Sequence, residues 1–272
     1  MTWKKAIGAS TARSRQNRRR NELGAESKPL MAIKIKIGFI GSSAPSSPHH
    51  DSFRTLIPAD ISFSFMQETG AKTSLYDARG KIDALISQVK ELLRQYGWNG
   101  VIISSAPKEA LNRGMWQRVV AEIEQPVALA LRSSVAALKT FRAKKILLMT
   151  PVDNELKRLY REYLAEFDIE SFYPPQTLGA HTDAQKLSSS DVEVMTRDSL
   201  AKFSSVDAIY FQGALLDPLP VLEKMEAELK LPIVASNPAM LWVILSRLGQ
   251  RYRITGYGKL LSDWPELPPG PF

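Results

Sequence analysis

Residues 34–43, Lys-Ile-Lys-Ile-Gly-Phe-Ile-Gly-Ser-Ser, and residues 144–151, Lys-Lys-Ile-Leu-Leu-Met-Thr-Pro, share the pattern of an apolar strand that ends in a polar loop. A second pair repeats this relation, with Gly-Val-Ile-Ile-Ser-Ser-Ala at 100–106 and Ala-Ile-Tyr-Phe-Gln-Gly-Ala at 208–214. Each copy follows its partner by about 108 residues. A repeat at this spacing predicts two half-chains of the same topology.

The segments between these copies predict strands that alternate with helices. Residues 60–66 have the pattern of a second strand, and residues 81–96 place apolar side chains at helical spacing. This alternation is typical of βαβ units and parallel sheets. We therefore predict an α/β fold with two similar parallel-sheet domains and a cleft between them, the first formed by residues 32–132 with 236–272 and the second by residues 133–235.

Ligands of parallel α/β sheets bind beyond the carboxyl ends of the strands. The sequence places four loops at this edge, at residues 42–50, 104–108, 150–154 and 212–217. Hydroxyl and backbone N–H groups in such loops stabilise anions. The candidate anion-binding residues on this ground are Ser42, Ser43, Ser104, Ser105 and Gly213. Serine also suits turns and helix caps, so a purely structural role stays open.

Composition excludes several classes of function. The chain has 272 residues and no cysteine, which excludes disulfide scaffolds, thiolate metal sites and cysteine nucleophiles. No apolar run approaches the roughly 20 residues that span a bilayer, and the N-terminus lacks a secretory signal pattern. No glycine-rich nucleotide fingerprint or metal-ligand spacing is present either. We expect a cytoplasmic protein without membrane contact, cofactor or metal.

Positive charge is concentrated in the first 31 residues. They hold eight Lys/Arg and two Glu, and thus six of the eight net positive charges of the chain. We expect this basic arm, residues 1–31, to be disordered because it has few apolar residues and no periodicity. Nucleic-acid contact and organelle targeting are the functional alternatives; Met31 directly precedes the first strand, which favours an over-extended start. The remaining chain is nearly neutral and does not suggest nucleic-acid binding.

Several short motifs occur in a recognisable order. They are Ile37-Gly-Phe-Ile, Met149-Thr-Pro-Val-Asp-Asn-Glu-Leu, Leu178-Gly, Val234-Ala-Ser-Asn-Pro-Ala-Met-Leu-Trp and Gly256-Tyr-Gly-Lys-Leu-Leu. Together they resemble the aspartate/glutamate/hydantoin racemase superfamily, in particular its maleate cis-trans isomerase and arylmalonate decarboxylase branch. The resemblance implies the two-domain fold and a cleft for a small carboxylate or dicarboxylate. The resemblance is also compatible with a homo-oligomer.

The resemblance also implies a cysteine at one strand end in each half. The corresponding positions fall near Ala106 and at Gln212, so cysteine chemistry is excluded here. A glutamine amide forms hydrogen bonds but does not exchange protons usefully near pH 7. Pro107-Lys108 replaces the family's Thr-Ser, and Lys108 offers a point charge instead of hydroxyl donors. On the resemblance, the expected binding residues also include Ala106, Lys108, Thr150 and Asn237.

Histidine is the usual proton carrier near pH 7, and the chain has three. His181 lies on a loop that in the family borders the cleft, so it is the candidate to move a proton while Gln212 holds a carboxylate or enolate. His49 and His50 are expected to be exposed loop residues.

Two classes of function follow. One is a cofactor-independent isomerase or decarboxylase that uses chemistry without cysteine. The alternative is an inactive paralogue that binds a metabolite or joins a complex, and the basic arm leaves an adaptor as a third interpretation.

Overall fold

The computed structural model describes residues 35–70, 74–175 and 181–270, apart from the side chains of residues 181 and 182. The basic arm predicted for residues 1–31 lies outside this part of the chain. Within it, no helix combines the length and apolarity that a membrane crossing requires.

Two four-stranded parallel sheets form the framework. The strands are β1 Ile35–Gly41, β2 Ile61–Gln67, β3 Gly100–Ser104, β4 Val127–Leu129, β5 Lys145–Met149, β6 Glu170–Phe172, β7 Ala208–Phe211 and β8 Ile233–Ala235. Their order is β2-β1-β3-β4 in the first sheet and β6-β5-β7-β8 in the second, and all pairs are parallel. The identical order confirms the predicted duplicated α/β fold.

Helices connect the strands of each sheet. They are α1 Asp51–Arg54, α2 Ile82–Tyr96, α3 Ala106–Leu111, α4 Met115–Glu122, α5 Ala130–Thr140, α6 Asn154–Ala165, α7 Ser189–Leu200, α8 Leu219–Leu229, α9 Ser236–Arg247 and α10 Lys259–Asp263. The connections also contain 3-10 helices, at Pro48–His50, Leu75–Ala78 and His181–Lys186. The predicted helix at 81–96 is confirmed as α2, which ends where Gly97 adopts the left-handed conformation.

The predicted loop over residues 104–108 is shorter than expected, because α3 already begins at Ala106. The physical reason is Pro107: its fixed φ and missing N–H suit the first turn of a helix, where that N–H would have no helical partner.

Helices α5 and α9 pack against each other and are buried along most of their length. The sequence of α9 is mainly apolar, whereas α5 also buries the polar residues Arg132, Ser133 and Ser134. The largest buried side chain on them is Trp242, which is fully buried and donates its indole N–H to the carbonyl of Pro265 at 3.0 Å. This shared core holds the loops at the carboxyl ends of both sheets in place.

Candidate functional site

A cavity of about 200 Å³ lies at the carboxyl ends of the strands and is bordered by both halves of the chain. The first half contributes Phe39, Gly41, Ser42, Ser43, His49, His50, Leu75, Ser104 and Pro107, and the second contributes Pro151, Val152, Tyr160, Gln212, Gly213, Ala214, Leu215 and Asn237. Pockets for drug-sized ligands measure about 300–1,000 Å³. This cavity therefore suits a smaller molecule.

Six of the residues predicted from the sequence border this cavity. They are Ser42, Ser43, Ser104, Gln212, Gly213 and Asn237. They come from three of the four predicted loops and from the start of α9. The parallel register explains the convergence, since the carboxyl ends of parallel strands meet at one edge of a sheet.

Gln212 directly follows β7 and is held in one orientation. The Thr150 hydroxyl donates a 2.7 Å hydrogen bond to Gln212 Oε1. Both side chains are buried, and Thr150 itself does not border the cavity. The Gln212 amide also carries two N–H donors, and the residue borders the cavity. Thr150 therefore positions Gln212 instead of contacting a ligand.

The loop after β7 is fixed to the start of α9. Gly213 adopts a φ of +86°, a conformation that favours glycine, and its N–H donates to Ser236 Oγ at 3.2 Å. This donor, expected to bind an anion, is thus already engaged. Asn237 Nδ2 donates to Ser52 Oγ at 3.0 Å, which ties α9 to α1.

The structure places three other predicted residues outside the cavity lining. Ser105 precedes α3, and Ala106 is buried in its first turn. Lys108 is fully buried, and its ammonium pairs with the Glu68 carboxylate. Burial lowers the pKa of Lys108 to about 8. Its charge is compensated inside the protein and does not face the cavity.

The three histidines differ in their placement. His181 begins the 3-10 helix His181–Lys186, but its side chain lies outside the described residues. His49 is exposed, as expected. His50 is not: only 4% of its surface is accessible, so the expectation of an exposed loop residue is wrong. Its ring packs against Phe39 and Phe65, with ring centroids 5.4 and 5.0 Å away, because a short 3-10 turn folds it inward.

His50 is a functional candidate that the sequence interpretation missed. Its Nε2 is buried and has no hydrogen-bond partner among the described residues. Burial lowers the pKa of His50 below its ordinary 6.5. The lowered pKa favours the neutral imidazole at pH 7, and His50 is one of the residues that border the cavity.

Tyr160 on α6 was also missed. It is fully buried, borders the cavity, and its hydroxyl has no partner in the described part of the chain. Burial raises the pKa of Tyr160 well above its ordinary 10, so the hydroxyl remains protonated. Its helical spacing from Leu156 and Leu164 predicts only a core position. No signal in the sequence distinguishes it from packing.

Comparison with known proteins gives the family. The sequence model of the arylmalonate decarboxylase family matches residues 91–261, more than half of the chain. The chain belongs to this family. A comparison with curated protein sequences gave no match.

Solved structures share the fold over nearly their whole length. Arylmalonate decarboxylase is 18% identical, with a TM-score of 0.71 over 84% of this chain and 99% of that one. The maleate isomerase Iso from Pseudomonas putida S16 is 16% identical, with a TM-score of 0.69 over 85% and 99%. A cysteine-to-serine mutant of Nocardia farcinica maleate cis-trans isomerase, solved with a covalently bound succinylcysteine intermediate, is 18% identical, with a TM-score of 0.63 over 84% and 98%. At these identities the likeness shows the fold.

This chain is thus a member of the arylmalonate decarboxylase family that also shares its fold with a maleate isomerase. It contains no cysteine to form an intermediate such as succinylcysteine. The strand register also defines which positions correspond between the halves. Gly41 pairs with Ser104 at the end of β1 and β3, and Thr150 and Gln212 follow the last pair of β5 and β7. Ser104 is thus the counterpart of Gln212.

Proposed function

We propose that this protein is a cofactor-independent enzyme of the isomerase or decarboxylase type that binds a small carboxylate without using cysteine. The observation that carries the proposal is the Gln212 amide, fixed by Thr150 at the border of a cavity that both halves share. A fixed donor is preorganised, so no free energy is spent on orienting it when a ligand or transition state forms.

The chemistry of the lining favours a carboxylate. In the described part of the chain, the lining contains no lysine or arginine but has serine hydroxyls and amide groups. Hydrogen bonds from neutral donors to an ionised acceptor are stronger than those between neutral groups. We assign carboxylate binding to Gln212 and to the hydroxyls of Ser42, Ser43 and Ser104. The same donors would hold an enolate, whose charge lies on the same oxygens.

The reaction also requires a proton carrier beside the carboxylate. The sequence alone suggests His181 or a bound water for this role, and the side chain of His181 lies outside the described residues. The names of the relatives, a maleate isomerase and an arylmalonate decarboxylase, support reactions in which a carbon next to a carboxylate changes its bonds.

A second candidate is a metabolite-binding protein without turnover. It is favoured by Ala106 and Gln212, which stand where the family resemblance implies cysteines. The two proposals agree on binding and differ on product formation.

Thermal unfolding of the full chain with maleate, phenylmalonate and simple monocarboxylates tests binding. A ligand at 100 times its Kd stabilises by about 2.7 kcal/mol. Gln212→Ala should weaken the shift, whereas Gln117→Ala, on the exposed face of α4, should retain it. NMR of the same mixtures then detects conversion of maleate to fumarate, or of phenylmalonate to phenylacetate and carbon dioxide. A shift with product supports the enzyme, a shift without product supports the binding protein, and no shift overturns both.

A further inference from the structure

Two unsatisfied polar groups border the same cavity. Five buried side-chain polar atoms lack a hydrogen-bond partner among the described residues, and two of them, His50 Nε2 and Tyr160 Oη, belong to side chains in the cavity lining. The other three belong to Trp98, Ser133 and Ser171, which do not border it. Leaving a buried polar group unpaired costs about 1–3 kcal/mol. Two such costs at one cavity point to a ligand that supplies the missing partners.

The two groups come from opposite halves of the chain. His50 lies in the connection after β1, close to the carboxyl end of that strand: a Cβ placed on Gly41 would be 4.0 Å from His50 Cε1. Tyr160 lies on α6, in the connection after β5. A ligand in the cavity is therefore bordered by an imidazole from the first half and a phenol from the second.

Their protonation states are complementary. His50 Nε2 has no hydrogen-bond partner among the described residues, so in the neutral tautomer with the proton on Nδ1 its lone pair can accept a proton. Burial and the nearby charges of Arg54 and His49 favour the neutral ring, while Asp51 pairs with Arg54 at 2.8 Å. The Tyr160 hydroxyl keeps its proton and serves as a hydrogen-bond donor.

We propose that His50 is the catalytic base that removes a proton from the carbon next to the bound carboxylate, and that Tyr160 donates a hydrogen bond to the oxygen on which charge develops. This proposal rests on the proposed function, since it requires a carboxylate in the cavity. It places the reaction in the class of reversible proton transfer at a carbon α to a carboxylate.

The proton transfer from carbon to His50 needs no further reactant. A bond forms between His50 Nε2 and the proton as the C–H bond breaks, and the electron pair of that bond moves into the carboxylate to give an enediolate. Tyr160 and Gln212 donate hydrogen bonds to its oxygens. The proton then returns from the imidazolium to carbon, which restores the neutral ring. A neutral imidazole accepts a proton first, so this site favours proton abstraction over the protonation that follows a decarboxylation.

Solvent exchange at carbon tests the proposal. The full chain is incubated with phenylacetate in D₂O, and loss of the methylene proton signal is followed by NMR. General base catalysis contributes about 10²–10⁴-fold, so His50→Gln should slow exchange at least about 100-fold. Gln117→Ala, on the exposed face of α4 and outside the cavity lining, is the control variant, and its exchange rate should stay within about twofold of wild type. The wild-type rate should rise with pH through the pKa of His50 and then level off.

Tyr160→Phe separates a catalytic role from a structural one. It removes an unpaired buried hydroxyl, so the melting temperature should hold or rise, while exchange falls about tenfold or more. Tyr173→Phe is the matched variant: its hydroxyl donates to the Lys157 carbonyl at 2.6 Å and does not border the cavity, so exchange should be retained.

Thermal shifts with phenylacetate, maleate and phenylmalonate distinguish a failure of the proposed function from a failure of the role proposed for His50. If none of them shifts wild type, the proposed function fails and this inference fails with it. If a shift is present but wild type shows no exchange, or His50→Gln exchanges at the wild-type rate, carboxylate binding stands and the role of His50 is overturned. Retained binding with lost exchange in His50→Gln is the expected result.

Discussion

The two halves end their central strand pairs in different ways. In the first half the pair is Gly41 and Ser104, two small residues, and the imidazole of His50 lies next to them. In the second half the corresponding residues are Thr150 and Gln212, which bond to each other. The small residues of the first half leave room for the imidazole of His50. At the equivalent place in the second half, the Gln212 amide fills the space. The two sheets thus share their strand order and pairing, whereas the side chains differ at the ends of the central strands.

A difference inside the strands gives the largest expected effect. Gly38 in β1 corresponds by register to Leu147 in β5. A Cβ on Gly38 would lie 2.1 Å from ring carbons of the buried Trp98. Gly38→Ala should therefore lower the free energy of unfolding by about 3 kcal/mol or more, measured by urea titration. A loss below about 1 kcal/mol would show that this half does not depend on its glycine.

The starts of α5 and α9 differ in how their N–H groups are satisfied. Glu109 accepts hydrogen bonds from the N–H groups of Leu131 and Arg132 at 2.6 and 3.1 Å. The register of β4 and β8 makes Pro238 the counterpart of Arg132, and proline has no N–H to satisfy. The first half therefore buries a carboxylate that the second half does not need at this place.

This carboxylate predicts a pH dependence of stability. Burial raises the pKa of Glu109 from 4.5 to about 7, so the folded state binds this proton more tightly than the unfolded state. Stability from this group is present below pH 4.5 and is lost as pH rises through about 7; at 1.36 kcal/mol per pH unit the loss is about 3 kcal/mol. Glu109→Gln should remove this slope from urea titrations at pH 4.5–8, and the exposed Glu91→Gln should keep it. Equal slopes in wild type and Glu109→Gln would contradict the assignment.

Making the first half resemble the second should block the cavity. Gly41→Thr places at the end of β1 the residue type found at the corresponding position 150. The added Cβ would lie 3.2 Å from Ser104 Oγ and 4.0 Å from His50 Cε1. We expect carboxylate affinity to fall at least about tenfold, or about 1.4 kcal/mol. Calorimetric titration with maleate measures it. Unchanged affinity would place the ligand elsewhere.

Removing the hydrogen bond that holds the Gln212 amide should have the smallest effect on carboxylate affinity. Thr150→Val keeps the shape but removes the donor to Gln212 Oε1. One hydrogen bond contributes about 1 kcal/mol, so affinity should fall about fivefold. Thr140→Val provides the comparison, because its hydroxyl bonds to the Ala136 carbonyl within α5. Equal losses in both variants would argue against a positioning role for Thr150.

Sequence patterns predicted the fold because strand and helix periodicity is local. They also predicted the cavity edge, since parallel strands fix where polar loops converge. They did not reveal the burial of His50, which depends on Phe39 and Phe65 from two different strands. The burial of Lys108 is not evident from the sequence for a similar reason, because its partner Glu68 lies 40 residues away. Pairing between distant residues decides which polar groups remain available to a ligand.

The most direct measurement of the central claim is an NMR titration of histidine-labelled protein with maleate. The chain has three histidines, so three ring signals are expected, and the His50→Gln variant assigns one of them. A carboxylate beside His50 should shift its ring signals saturably and raise its pKa, since a nearby anion favours the imidazolium. We predict a larger shift of the ring signals for His50 than for exposed His49. An unmoved His50 signal at maleate concentrations that stabilise the protein would contradict it.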